Sequence, residues 1–269
     1  MSTLTPIPKY PAAARRLTAL LMMLTCTVVW AAPRPAVLID AWRATPDLKY
    51  MKRLEAAGFE MDAIQHEELT WDRVREYNVL VLLDFPETGE VQHAPEGGPA
   101  RGPNLAETLT LVDRFLAAGG GVMINLVQHH NNPTFHNSVS QALARWGARR
   151  PVEQVVLPSD RIVTHPRLRM PFYLTDHVLP SPVSDGVERV WHPLGGRSWC
   201  VAGPIDVDDN WTVVLRAPQG SRTEPIELPE AKPGVPHYDS PFAREGGVQK
   251  PALFAVRDLQ PGRLALFHA

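Results

Sequence analysis

Residues 104–130, NLAETLTLVDRFLAAGGGVMINLVQHH, constrain the fold more than any other part of this chain. Asn104 stands where a helix N-cap belongs, and Glu107, three residues on, fits the reciprocal hydrogen bonding of a capping box. Leu105, Leu109, Val112 and Leu116 recur at helical spacing and define one apolar stripe. Gly119, Gly120 and Gly121 stop the helix. Val122–Val127 then reads as a short, nearly continuous apolar run, the pattern of a strand buried on both faces. A helix that turns on glycines straight into a buried strand belongs to a parallel sheet covered by helices.

The same alternation runs through the first half of the chain. Ala36–Ile39 is a continuous apolar run ending at Asp40. Thr45 and Pro46 supply an N-cap and a first-turn proline for a helix that Gly58 stops. Glu60–Gln65 reads as a strand, Glu67–Tyr77 as a weaker helix, and Asn78–Phe85 as a strong strand. A further helix is predicted over Ser138–Trp146, with Val139, Ala142, Leu143 and Trp146 on one side, and a fifth strand over Val152–Leu157. Strands alternating with helices predict an α/β fold, a doubly wound and mainly parallel sheet of flavodoxin-like type. From about residue 159 the pattern changes. Thr212–Arg216, Leu253–Val256 and Arg263–Phe267 read as strands separated by loops, a β-rich, loop-rich C-terminal extension expected to belong to the same domain. The segment Pro86–Pro103 is too long and too rich in proline and glycine for an ordinary connection.

Residues 1–31 stand apart from the fold. Lys9, Arg15 and Arg16 precede the apolar run Leu17–Trp30, and Val29-Trp30-Ala31 fits a signal-peptidase site. The run falls short of the ~20 residues that span a bilayer. The chain is therefore expected to be periplasmic or secreted, with no stable membrane span once this signal peptide is removed. The expected organisation is a signal peptide at 1–31, an α/β core at 33–158 and the extension at 159–269. With 44% hydrophobic residues, the remainder can bury a substantial core. Basic residues number 27 and acidic residues 29, with no basic patch, which excludes nucleic acid as the expected partner. Cys26 leaves with the leader and Cys200 remains alone, so no internal disulfide framework is available to the mature chain.

In a doubly wound sheet the strand C-termini share one edge, and ligands bind there. That edge would gather Asp40 with Trp42, then Asp84, then Asn125 with Gln128, His129 and His130. Carboxylates and amides can hydrogen-bond the hydroxyls of a polyol, and Trp42 can add a stacking face. A carbohydrate-like small molecule or a partner protein is the expected ligand. The plainer alternative is that Asp40 and Asp84 cap the turns that follow them. His129, His130 and His136 lack the spacing of a zinc site such as H-E-x-x-H, so no metal and no cofactor is expected. Asp206, Asp208 and Asp209 lack the glycine and terminal glutamate of an EF-hand loop and read as solvated charge. Asp176-His177 reads as a turn, Trp146 as core, and Trp191 and Trp199 as the better exposed stacking surfaces.

Several of these segments together carry a family likeness. Val37–Asp40, Val79–Phe85, Phe115–Ile124, Leu174–Val190 and Gly262–Phe267 resemble the class I glutamine amidotransferase-like superfamily, and within it the trehalose-utilisation-type domains associated with carbohydrate enzymes. The resemblance implies a flavodoxin-like fold and a carbohydrate context. Catalytic members of the superfamily hold a cysteine nucleophile in a tight strand-to-helix elbow. Here that strand end reads Asn125-Leu126-Val127-Gln128-His129-His130, without a cysteine, and Cys200 lies far beyond it in sequence. Glutaminase chemistry is therefore not expected. Two functions remain open: a binding domain for a carbohydrate-type ligand or partner, and an exported hydrolase or isomerase acting on sugars. The second would use Asp40 or Asp84 as general base and a histidine from His129–His136 as acid.

Overall fold

Each apolar run in residues 36–126 becomes a strand of one sheet, and each helical stripe covers one of its faces. In the computed structural model the described residues are 34–40, 48–83, 102–126, 128–129, 139–140, 142–151, 153–164, 171–193, 200–201, 203–226 and 248–268. The proposed signal peptide, most of the 86–103 segment, Trp42, Asp84, His130, His136 and Trp199 lie outside them. The first elements are β1 (Ala36–Asp40), α1 (Leu48–Ala56), β2 (Glu60–Ile64), α2 (Trp71–Val74), β3 (Val79–Leu82), α3 (Leu105–Ala117) and β4 (Gly121–Leu126). The capping box is formed as the sequence reads: Asn104 Oδ1 accepts from the Glu107 N–H, and Glu107 Oε2 accepts from the Asn104 N–H. The stripe Leu105, Leu109, Val112 and Leu116 is buried. Gly119, with φ +93, supplies the left-handed turn that releases the chain into β4.

The helix expected over 67–77 is divided. A 3-10 turn covers His66–Glu68, and α2 begins afresh three residues later. Thr70 is the cause. Its backbone is extended, and its hydroxyl accepts from the Arg73 N–H, so it caps a new helix instead of continuing an old one.

Beyond β4 follow β5 (Gln128–His129), β6 (Ala148–Arg149), β7 (Glu153–Val156), β8 (Ile162–Thr164), β9 (Pro171–Thr175), β10 (Val190–Pro193), β11 (Cys200–Val201) and β12 (Asp206–Val207). The last strands are β13 (Thr212–Arg216), β14 (Arg222–Pro225), β15 (Ala252–Asp258) and β16 (Arg263–His268). Among the described residues the main sheet runs β2-β1-β3-β4-β16-β15-β13. The pairs from β2 to β16 are parallel, and β15 and β13 add antiparallel strands at the far side. The fifth parallel strand is therefore β16, not the Val152–Leu157 segment. That segment pairs with β14 in a separate ribbon. The C-terminal run Arg263–His268 instead has the near-continuous apolar character of a central strand. Gly262 makes its approach possible, because a Cβ there would lie 2.3 Å from the Leu116 carbonyl oxygen at the end of α3.

The sheet is covered on both faces. Leu38, Leu80, Leu82, Ile124 and Leu266 meet the α3 stripe, Leu143 and Trp146 in the principal core. Val37 and Ile39 meet Met51 of α1 on the opposite face. A further cluster, including Tyr173, Leu215 and Leu253, joins β9 to β13 and β15. Among the described residues no helix is long and apolar enough to cross a membrane.

Two outcomes follow from this packing. Asn104→Ala should cost about 1 kcal/mol in chemical denaturation, the usual effect of losing a side-chain cap. The Tyr77 hydroxyl donates to Asp62 Oδ2 at 2.8 Å, and burial together with this bond pushes the phenol from its ordinary 10 up to about 12. The folded chain thus retains a proton that the unfolded chain releases. This contribution is complete below about pH 10 and should fade as the pH rises toward 12. Urea midpoints measured across that range should fall less steeply in Tyr77→Phe.

Candidate functional site

The strand order places the topological switch between β1 and β3, whose onward connections leave in opposite directions. In doubly wound sheets a crevice opens at this point beyond the strand C-termini. Here that position is occupied from within. Asp40, the last residue of β1, is 1% exposed. Its Oδ2 lies 2.6 Å from Nδ1 of His66, a ring that is itself buried. Nε2 of His66 lies 2.7 Å from the carbonyl oxygen of Pro103, just before α3. A carbonyl only accepts, so Nε2 is the donor in that bond, and Nδ1 faces the carboxylate. The pair ties three segments together: the end of β1, the turn after β2 and the start of α3. Gly102, with φ +97, completes the contact, since a Cβ there would meet the His66 carbonyl oxygen at 2.7 Å.

Asn125 occupies the other face of the same edge. Val122, Ile124 and Leu126 of β4 point into the principal core, so Asn125 points the opposite way, level with Phe267 of β16. Asp40 shares its strand parity with Leu38 and therefore the α3 face. The fold thus separates these two candidates by the thickness of the sheet. Asn125 is half-buried, and among the described residues its Oδ1 is shielded from water without a hydrogen-bond partner. Phe267 beside it packs on His192, ring centroids 5.3 Å apart, and His192 stacks on Tyr173 at 5.1 Å. The Tyr173 hydroxyl is likewise shielded without a partner among the described residues, and burial drives its pKa upward.

Gln128 and His129 form β5, which pairs antiparallel with β11, setting Val201 opposite Gln128 and Cys200 opposite His129. Cys200 thus reaches the C-terminal side of β4 through a strand pairing that its sequence distance conceals. The acidic run after Ile205 is answered by arginines. Asp206 accepts from Arg149 at 3.0 Å, and Asp208 lies 3.8 Å from Arg257. Trp146 is buried in the core, with its indole N–H donating to Asp113, and the His177 N–H donates to Thr175 within a turn. Trp191 is 55% exposed.

Sequence reasoning did not single out His66. Its one signal is position, directly after a strand that pairs with the Asp40 strand. Periodicity carries no information about a contact that joins residues 26 apart.

No family model matches the chain, and no curated protein sequence does. Solved structures match in fold. The mmIFT52 N-terminal domain aligns at 13% identity with a TM-score of 0.51, covering 86% of this chain and 85% of that one. A ThuA-like protein from Bacteroides uniformis aligns at 11% identity and a TM-score of 0.44, covering 88% and 82%. A glutamine amidotransferase from Thermotoga maritima aligns at 12% identity and a TM-score of 0.42, covering 87% and 76%. At these identities the likeness is one of architecture.

His66→Ala leaves the Asp40 carboxylate buried without its imidazole. It should cost about 3–5 kcal/mol in urea unfolding, the usual effect of removing one partner from a buried pair. Asp40→Asn should cost distinctly less, because the amide that replaces the carboxylate is neutral and can still donate to Nδ1. Equal losses in the two variants would mean that no charge is held there.

Proposed function

We propose that this chain is an exported amidotransferase-like domain without glutaminase chemistry, which binds a carbohydrate-type ligand at the C-terminal edge of its sheet. Asn125 is the anchor of the proposed site. Gln128, His129, His130, Asp84 and Trp42 are its proposed surroundings, and Asp40 is its structural support on the opposite face. The observation that carries this reading is the Asn125 Oδ1, shielded from water and lacking a donor among the described residues. Leaving a buried acceptor unsatisfied costs about 1–3 kcal/mol. A ligand hydroxyl would remove that cost, and a polyol offers hydroxyls that donate and accept.

Two features support a binding role over catalysis. The strand end at 125–130 contains no cysteine, and Cys200 comes from a separate short strand, not from a strand-to-helix elbow. The Asp40–His66 pair resembles an acid–base dyad, yet both ring nitrogens are already engaged, Nδ1 by the carboxylate and Nε2 by the Pro103 carbonyl. No lone pair remains on His66 for a substrate proton.

A thermal-shift screen of the mature chain against mono- and oligosaccharides tests the proposal. A saccharide at about 100 times its Kd adds about 2.7 kcal/mol to stability, a rise of several degrees for a domain of this size. Asn125→Ala should abolish the shift without lowering the unliganded Tm, because it also removes the unsatisfied acceptor. A flat response to every saccharide would overturn the carbohydrate reading. Ammonia release from glutamine that disappears in Cys200→Ser would overturn the non-glutaminase reading.

A further inference from the structure

The small sheet β10-β9-β8 has a face that the strand-edge site does not use. Tyr173, Thr175 and His192 are fully buried and mark its inner side. Alternation along β9 then turns Phe172 and Leu174 outward. Their register partners on this side are Val163 for Phe172 and Trp191 for Leu174. Val163 is 50% exposed and Trp191 55%. An antiparallel sheet with one face on a core ordinarily presents polar side chains to water. This one presents Val163 and Trp191, with Leu174 half-buried beside them. All the exposed large apolar side chains among the described residues fall within residues 162–191. Val163 and Trp191 come together with Leu174 around one cleft, and contiguous exposed apolar surface marks an interaction site.

A cleft of about 510 Å³ opens over Val163, Leu174 and Trp191, and its rim carries Asp160, Asp176, Glu188 and Arg189. Three carboxylates thus stand against one guanidinium. None of the four forms an ion pair with a described residue. Among the described residues β8 pairs with β9 alone, and a sheet edge is where another strand can add.

We propose that this face docks an extended basic segment of a partner protein. Its lysine or arginine cations lie over the Trp191 ring and among the three carboxylates, while their aliphatic stems cover Val163 and Leu174. The segment runs beside β8 as an added strand. A second copy of this chain fits poorly, because a two-fold interface would set one acidic rim against another. A neutral sugar would use the tryptophan but leave the surplus negative charge unanswered. The proposal is independent of the Asn125 site.

Fluorescence polarisation of the mature chain with a labelled peptide of alternating lysine and valine tests it, with a glutamate–valine peptide as the control. The lysine peptide should bind and weaken as salt is raised, and the glutamate peptide should not bind. Trp191→Ala should weaken binding about tenfold, and Glu188→Lys should weaken it comparably. Both side chains are exposed, so the Tm of each variant should match the parent. Failure of the lysine peptide to bind, or binding indifferent to both substitutions, overturns the proposal. So does a neutral oligosaccharide that binds without salt dependence and is lost in Trp191→Ala. So does a concentration-dependent dimer that Trp191→Ala dissolves.

Discussion

The parallel pairing of β16 with β4 is the contact on which the remaining architecture depends. It inserts the last strand of the chain beside the strand that follows the glycine turn, with Arg263 level with Gly121 and His268 with Leu126. Leu264 and Leu266 then complete the core beneath α3. On the other face Phe267 meets Phe254 and His192, which seats the β-rich extension against the sheet. His268 is fully buried and accepts the Gly203 N–H at 2.9 Å, so the strand end also fixes the loop that follows β11. Parallel pairing requires a long crossover connection, and here the chain between β4 and β16 supplies the whole extension. The extension is therefore bound into the sheet at both of its ends.

The C-terminal edge shows how one strand boundary can serve two purposes. On the α3 face Asp40, His66 and the Pro103 carbonyl hold neighbouring connections together without water between them. Such a pair is favourable only while both members are present and fully hydrogen-bonded. On the other face the Oδ1 of Asn125 is shielded and lacks a donor among the described residues. The edge thus joins a fully bonded pair on one side to unmet hydrogen-bonding capacity on the other. The small sheet β10-β9-β8 has the opposite character, with a polar inner side and an apolar outer one. Tyr173, Thr175 and His192 are buried where valine or leucine would be ordinary, and Val163 and Trp191 of the neighbouring strands are exposed.

What the sequence determined by itself is local. The cap at Asn104, the stripe on α3, the glycine stop and the apolar runs of β1, β3 and β4 each depend on neighbours within a few residues. They appear in the structure where the sequence places them, and with them the α/β class. The division of the 67–77 helix was also local in origin, since Thr70 carries the capping hydroxyl that restarts the chain as α2. It went unread because a weak apolar period gave it no contrast. The tertiary structure alone decided which segments meet. Val152–Leu157 and Arg263–Phe267 both look like strands, and only competition for the place beside β4 assigns it to the second. That competition turns on Gly262 passing beneath α3, a steric condition invisible in hydropathy. His66 meeting Asp40, Cys200 reaching His129, and Asp40 and Asn125 falling on opposite faces are likewise products of register and topology, because a strand pattern fixes alternation along a chain but not the partner across the sheet.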